Sequence, residues 1–406
     1  MPHSQEIKIA VIGLGYVGLP LARLFAIQYS VVGFDINEKR VDALATNRHC
    51  VAGCDPQSYP QSPDGLSYSG NIDHIKDCNY YIITVPTPVD KDNRPDLTIL
   101  LNATQTVGQV LKKGDTVIYE STVYPGCTEE ECVPVLEKTS GLKFNVDFFV
   151  GYSPERINPG DREHTVERIK KVTSGSTPET AEQVDALYSS VILAGTHLAP
   201  SIRVAEASKV IENAQRDINI AFVNEAKKIF DTLGIDTNAV LEAAGTKWNF
   251  MPFKPGLVGG YCIGAATYYL AHKAQNSDYY PEIILAGRQM NESMGAYFAS
   301  EVVKKMIRQG IPVKGANILV LGITFKENNP DVRNSKVVDV IKALQEYGMN
   351  ITIYDPIANP ANVQREYGLV SLSEMPTEKF DAVVKTVAHQ ALENIPLNSE
   401  VVYFIK

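Results

Sequence analysis

Cysteine, tryptophan and net positive charge are all in short supply: 406 residues hold six cysteines, one tryptophan and 38 Lys and Arg against 47 Asp and Glu. Cys50, Cys54, Cys78, Cys127, Cys132 and Cys262 are too sparse for the disulfide framework of a secreted chain, so a reducing cytoplasm is the expected compartment. Cys50 and Cys54 with His49, or Cys127 with Cys132, could be read as metal pairs. Neither has zinc-finger spacing or a second half, and no metal is expected. A net charge of -9 and a pI of about 5.4 argue against a general nucleic-acid binder, because phosphate backbones demand a basic surface. Any anionic ligand must then be met by a few local cations. A membrane span is missing as well. The apolar run from Ile9 to Ile27 approaches spanning length, but it holds Pro20, Arg23 and glycines, and no cleavage pattern follows it. It reads as a buried strand passing into a helix, and no membrane partner is expected.

What is present points to an α/β protein of two or three domains, since 406 residues exceed one ordinary core. Ile7 to Ile12 is β-rich, Gly13 to Gly18 is a turn, Leu19 to Gln28 is helical in composition, and Val31 to Asp35 returns as a strand. Further apolar runs at Tyr80 to Val85, Thr116 to Tyr119 and Phe148 to Val150 alternate with helix-like segments, the pattern of a doubly wound parallel sheet. Ser201 to Leu233 lacks Pro and Gly and keeps helical apolar spacing, which predicts a long connecting helix. Glu242 to Pro255 and Pro281 to Gln309 are expected to be helical, separated by a cysteine loop. A strand at Asn317 to Lys326, a helix at Lys336 to Tyr347 and strands at Ile351 to Tyr354, Ala382 to Val387 and Val401 to Ile405 predict a second α/β domain.

Gly13-Leu14-Gly15-Tyr16-Val17-Gly18 followed by Asp35 about 20 residues on fits a dinucleotide-binding turn. The glycines let a pyrophosphate approach a helix N-terminus, and the carboxylate accepts from ribose hydroxyls while repelling a 2'-phosphate, so NAD is expected over NADP. Arg40 is a further cofactor-side candidate. Thr84 to Pro88, with Pro86 and Thr87, and Glu120 to Gly126, with Ser121 and Thr122, end predicted strands at the edge where ligands lie. Ordinary loop chemistry also accounts for such Thr/Pro turns. Lys209 and Asn213 share a helix face and could stabilise a developing oxyanion, although most such pairs form a solvated face. Glu155 in Tyr152 to Gly160 could order water or take a proton, or form an ion pair with its neighbour Arg156. Cys262 stands in Val258-Gly259-Gly260-Tyr261-Cys262-Ile263-Gly264. A thiol beside a redox cofactor could capture an aldehyde and permit a second oxidation, while an isolated buried cysteine is only a small hydrophobe.

In order and over essentially the whole chain, these motifs resemble the UDP-glucose/GDP-mannose dehydrogenase family. Tyr152 to Asp161 and Lys247 to Gly260 look most like the branch that oxidises UDP-N-acetylhexosamines to uronic acids for bacterial surface polysaccharides. The resemblance implies an NAD-binding Rossmann domain over 1–200, a long helix and helical dimerisation domain over 201–310, and a UDP-binding Rossmann-like domain over 311–406. It also implies a homodimer and a four-electron oxidation at the C6 hydroxyl. By position, Cys262 is similar to the family nucleophile and Lys209 with Asn213 to the pair on the reacting oxygen, while Thr122 and Glu155 would serve the water and proton steps. Arg156, Ile157, Asn158, Lys247, Lys254, Gly259, Phe325 and Lys326 would lie on the substrate side. Arg333 would be a cofactor contact.

The chain also departs from that pattern. Family members place an Asp four residues after the cysteine, where this chain has Ala266; Lys385 enters a strand that is usually apolar, and Phe404 replaces a usual Asp. General acid-base groups contribute about 100-fold to 10,000-fold, so an alternative reading is a hydrolysis-impaired or inactive nucleotide-sugar-binding homologue.

Overall fold

A computed structural model describes residues 6–46, 63–158, 161, 163–395, 397, 399 and 402–405, with Tyr261 and Cys262 described by their backbone. His49, Cys50 and Cys54 lie outside these residues. The chain forms two compact units, Met1–Glu212 with Tyr268–Ser277, and Asn213–Thr267 with Asp278–Lys406.

In the first unit β1 (Lys8–Ile12), α1 (Gly18–Phe25), β2 (Ser30–Phe34), α2 (Glu38–Ala45), β3 (Leu66–Ser69), β4 (Tyr80–Ile83), α3 (Thr98–Gly108), β5 (Thr116–Tyr119), α4 (Val133–Ser140) and β6 (Phe149–Tyr152) follow in order. The strands form one parallel sheet ordered β3-β2-β1-β4-β5-β6, the doubly wound arrangement expected from the alternating runs. Ile9, Val11, Ile82 and Ile118 are fully buried because helices cover such a sheet on both faces, so its strands read as continuous apolar runs. Each such side chain contributes about 1.5–3 kcal/mol. A two-stranded ladder of β7 (Lys171–Thr173) and β8 (Thr196–Leu198), joined by α5 (Pro178–Ser189), completes this part. The run from Ile9 to Ile27 is β1, a turn and α1, and no helix of the described residues is long and apolar enough to cross a membrane.

The long helix is present as α6 (Ile202–Leu233), and the division between the units falls inside it. The helix expected over Glu242 to Pro255 is formed only as far as Gly245, the end of α7 (Thr237–Gly245); residues 246–260 are irregular. Pro252 and Pro255 lack amide donors and disfavour helix at the residues before them. Asn224 on α6 then pins the loop, accepting from Gly256 N at 2.8 Å and donating to Gly256 O at 3.0 Å. The glycine-rich segment is not one loop either, because α8 (Tyr261–Gln275) begins at its centre. The segment Tyr268–Ser277 returns to the first unit, where the Tyr269 hydroxyl donates to Pro88 O at 3.2 Å and Lys273 pairs with Glu130 at 2.6 Å. The helix expected over Pro281 to Gln309 divides at Ser293 into α9 (Glu282–Glu292) and α10 (Met294–Arg308).

In the second unit β9 (Asn317–Leu321), α11 (Val337–Glu346), β10 (Asn350–Tyr354), α12 (Pro360–Tyr367), β11 (Ala382–Lys385) and β12 (Val402–Phe404) build a four-stranded parallel sheet ordered β10-β9-β11-β12. The strand expected through Lys326 stops at Leu321, because Gly322 turns the chain at a φ of 93°. Phe298, Val302 and Met306 of α10 join Ile318, Val320, Val340 and Ile341 in its core. Lys385 is accommodated at the end of β11, its ammonium on Leu392 O at 2.7 Å.

Candidate active site

In the first unit the turn after β1 is built for close approach. Gly13 has a φ of 94°, and its N–H donates to Phe34 O at 2.8 Å. A Cβ on Gly18 would lie 1.9 Å from Gly13 O and 2.3 Å from Thr84 Oγ1, so the first turn of α1 can sit against the strand end only as glycine. A Cβ on Gly15 would meet nothing within 4 Å. That open backbone beside a helix N-terminus fits a pyrophosphate. Tyr16 and Val17 lie between these glycines. Asp35, immediately past β2, accepts from Leu14 N at 2.9 Å, Asn37 N at 2.9 Å and Arg40 at 3.2 Å. These bonds hold the carboxyl where an adenosine ribose would fall, so the residues present fit NAD.

The next two strand ends are tied together. Ser121 Oγ donates to Val85 O and Thr87 Oγ1 to Thr122 O, each at 2.6 Å, which brings Pro86, Thr87, Ser121 and Thr122 to one sheet edge. Behind them Glu120 is buried against Lys171 at 2.5 Å, and the Tyr188 hydroxyl donates to its other oxygen. Burial pushes the Glu120 carboxyl above its ordinary range, against the pull of Lys171. The same Lys171 ammonium donates to Pro154 O at 3.0 Å, beside Glu155. Glu155 is buried and accepts from Ile157 N. The alternative, an ion pair with Arg156, is not formed among the described residues. Arg156 instead forks onto Glu212 at 2.6 Å and Lys170 O at 2.7 Å, while Asn158 is exposed. Neither Glu212 nor Lys170 is near Arg156 in sequence, which is why reading the chain missed both.

Lys209 and Asn213 stand one turn apart on α6 and are 6% and 8% exposed. They are therefore not part of a solvated face. No ion pair among the described residues engages Lys209, and Asn213 Nδ2 is buried with no hydrogen-bond partner among them. A buried donor without an acceptor costs about 1–3 kcal/mol, so Asn213 Nδ2 is left open to an oxygen that the described residues do not supply. Glu206, one turn earlier, accepts from Gly126 N at 2.5 Å and Thr128 N at 2.9 Å and so anchors the loop that carries Thr122.

In the second unit Cys262 is the second residue of α8. In the first unit a hydrogen bond that the Cys127 thiol donates to Cys132, then burial, push the Cys127 thiol far up, and both of these cysteines lie buried. Gly259 and Gly260 pack on the loop after β9: a Cβ on Gly260 would lie 2.9 Å from the Phe325 ring. Lys326 follows Phe325, and Arg333 forks onto Asp331 at 2.6 Å in the same loop. Lys247 and Lys254 are exposed on the irregular segment before the glycines. Ala266 is fully buried one helical turn past Cys262.

A strand end, a glycine-rich turn leading into a helix and an acidic residue at the next strand define a dinucleotide-binding protein of the NAD type. Known proteins extend this class along the whole chain. Three family models match in succession: the NAD binding domain (7–192), the central domain (203–293) and the UDP binding domain (319–403) of the UDP-glucose/GDP-mannose dehydrogenase family. The chain belongs to that family and is an NAD-dependent UDP-sugar dehydrogenase. It is 56% identical over 391 residues to a UDP-N-acetyl-D-glucosamine 6-dehydrogenase of Pseudomonas aeruginosa, covering 96% of this chain and 92% of the relative. Protein CapL of Staphylococcus aureus is 54% identical, with 94% and 90% covered. Among solved structures, a UDP-glucose dehydrogenase of Pyrobaculum islandicum aligns with a TM-score of 0.89 at 26% identity, covering 100% of this chain and 95% of that one. A UDP-D-ManNAc dehydrogenase of Pyrococcus horikoshii aligns with a TM-score of 0.86 at 28% identity, covering 98% and 95%.

Proposed function

We propose that this chain oxidises the C6 hydroxyl of a UDP-N-acetylhexosamine, UDP-N-acetylglucosamine foremost, to the uronic acid for capsule or O-antigen synthesis. The observation that carries it is the pair on α6, a buried cation and a buried amide donor one turn apart, with no acceptor among the described residues. That pair is suited to the C6 oxygen as it gains charge, first as an alkoxide and then as a tetrahedral oxyanion. NAD, held by Gly13, Gly15, Gly18 and Asp35, supplies the hydride acceptor for each of two oxidations. Cys262 adds to the aldehyde as a thiolate, giving a thiohemiacetal whose oxidation leaves a thioester; water then releases the carboxylate and the thiol. Glu155 and Thr122 serve the water and proton steps. Lys247, Lys254, Phe325 and Lys326 receive the UDP-sugar, and Arg333 reaches the cofactor. The division into NAD-binding, helical and UDP-binding parts follows the three matched stretches.

A homodimer is part of the reading. Phe222, Ile229 and Leu233 of α6 are 64%, 51% and 63% exposed, and Trp248 is 92% exposed, an apolar face that a second copy would cover. Sedimentation that finds only monomer at working concentration removes this element. A cytoplasmic location is proposed on the same footing.

NADH release against UDP-N-acetylglucosamine, UDP-N-acetylgalactosamine and UDP-N-acetylmannosamine tests the substrate, with two NADH expected per uronate. Cys262→Ser is expected to abolish uronate formation; unchanged formation removes the nucleophile. The alternative of an impaired or inactive homologue finds no support in the comparisons. A mass adduct accumulating on Cys262 during turnover would restore it.

A further inference from the structure

We infer that Asn334 is a positioning residue for the nucleophile: it brackets Gly260 and thereby fixes the first turn of α8, on which Cys262 stands. This rests on the reading of Cys262 as nucleophile. Asn334 has a φ of 49°, a left-handed conformation that asparagine tolerates better than most residues. In that conformation its backbone oxygen accepts from Gly260 N at 3.0 Å while its side-chain Nδ2 donates to Gly260 O at 2.8 Å. Both peptide groups of the residue at the entrance to α8 are thus held by one asparagine. The fit is close, because a Cβ on Gly259 would lie 2.7 Å from Asn334 O.

The bracket itself is anchored. The Tyr367 hydroxyl, from the end of α12, donates to Val332 O at 2.6 Å and accepts from Ser335 N at 2.7 Å, gripping the chain on both sides of Asn334. Asp331 O accepts from Phe325 N at 3.2 Å, which closes the loop on itself. Phe325, Lys326 and Arg333, the proposed UDP and cofactor contacts, therefore belong to the same loop that fixes the cysteine's backbone. Nucleotide seated on that loop acts on the nucleophile through Asn334. Displacements of about 1 Å can cost on the order of 100-fold in rate, so a loosened bracket is expected to act on chemistry more than on binding.

Two substitutions isolate the side chain. Asn334→Gly keeps the left-handed backbone and removes Nδ2; Asn334→Asp keeps size and turn preference but faces Gly260 O with an acceptor. The readout is iodoacetamide alkylation of Cys262, followed by peptide mass spectrometry from pH 6 to 10, beside kcat, KM and calorimetric UDP affinity. Alkylation about 10-fold slower at neutral pH, a midpoint moved to higher pH and kcat down about 10-fold, with UDP affinity within about twofold, is expected. Wild-type alkylation rate and pH profile in either folded variant overturns the assignment. Amide exchange on the unaltered enzyme gives a second measurement: Gly260 N–H should be protected, and exchange at an unprotected rate overturns it too. Turnover surviving Cys262→Ser would instead defeat the nucleophile reading, leaving the alkylation comparison intact.

Discussion

The two sheets begin with the same turn and use it for opposite ends. After β1, Gly13 N donates to Phe34 O, Leu14 N to Asp35, and Thr84 Oγ1 to Ile12 O and Gly13 O. After β9, Gly322 N donates to Tyr354 O, Ile323 N to Asp355, and Thr386 Oγ1 to Leu321 O and Gly322 O. The two glycines have φ values of 94° and 93°. Past that point the turns diverge. Asp35 accepts further from Asn37 N and Arg40, whereas Asp355 accepts also from Thr324 N, Ile357 N, Ala358 N and His389 Nε2. His389 is fully buried, and its Nδ1 accepts from Asn328 N at 3.0 Å. On the proposed reading the first carboxylate reads a ligand, whereas the second holds a loop. One backbone device supports either task, and the donors around the acid decide which.

The sharpest break of this comparison is the pair Asp355→Ala and Asp35→Ala. Loss of Asp355 leaves a buried His and several backbone donors unpaired, so unfolding should become easier by about 3–5 kcal/mol. Asp35→Ala should instead raise KM for NAD at least about tenfold, with the larger effect on cofactor binding than on melting. Equal melting losses would show that the two acids do the same work. A smaller contrast lies in the glycines. Gly322→Ala meets both a positive φ and Val387 at 2.6 Å and should cost about 1–3 kcal/mol. Gly15→Ala meets no protein atom, so it should spare the melting temperature while weakening NAD.

The smallest expected effect is one of pH. Burial opposes ionisation of Asp355, but hydrogen bonds from His389, Ile323 and Ile357 hold its carboxyl at about 2, below the unfolded value of about 3.9. Its contribution is therefore present above about pH 4 and is lost as pH falls through about 2. Glu206 in the first unit behaves oppositely, since burial raises it to about 7 against hydrogen bonds from Thr128 and Gly126. Stability linked to it is present below about pH 4.5 and declines as pH rises through about 7, so Glu206→Gln should flatten denaturant midpoints between pH 5 and 8. An unchanged slope would remove this difference between the units.

The first turn was legible in the chain because its glycines, its helix and Asp35 lie within one short βαβ stretch. The second was legible only as architecture. Asp355 and His389 are 34 residues apart and carry no motif. Lys209 and Asn213 could be paired by helical spacing, yet their burial depends on what packs against α6, which spacing does not encode. The segment before the cysteine misled for a local reason: its composition suits a helix, but two prolines and the Asn224 bracket on Gly256 override it. Arg156 next to Glu155 suggested a pair, and the chain chose Glu212 56 residues away. Asn334 carried one faint signal, an asparagine in a turn-rich stretch, with nothing to indicate that it reaches back 74 residues to Gly260.

The return of Tyr268–Ser277 to the first unit bears on how the protein is made. A ribosome releases the N-terminal sheet early, yet the Pro88 carbonyl and Glu130 receive Tyr269 and Lys273 only after a further long stretch has been synthesised. Until then the nascent sheet waits with that slot unfilled. Fragments ending near residue 200 are therefore expected to aggregate more readily than the full chain.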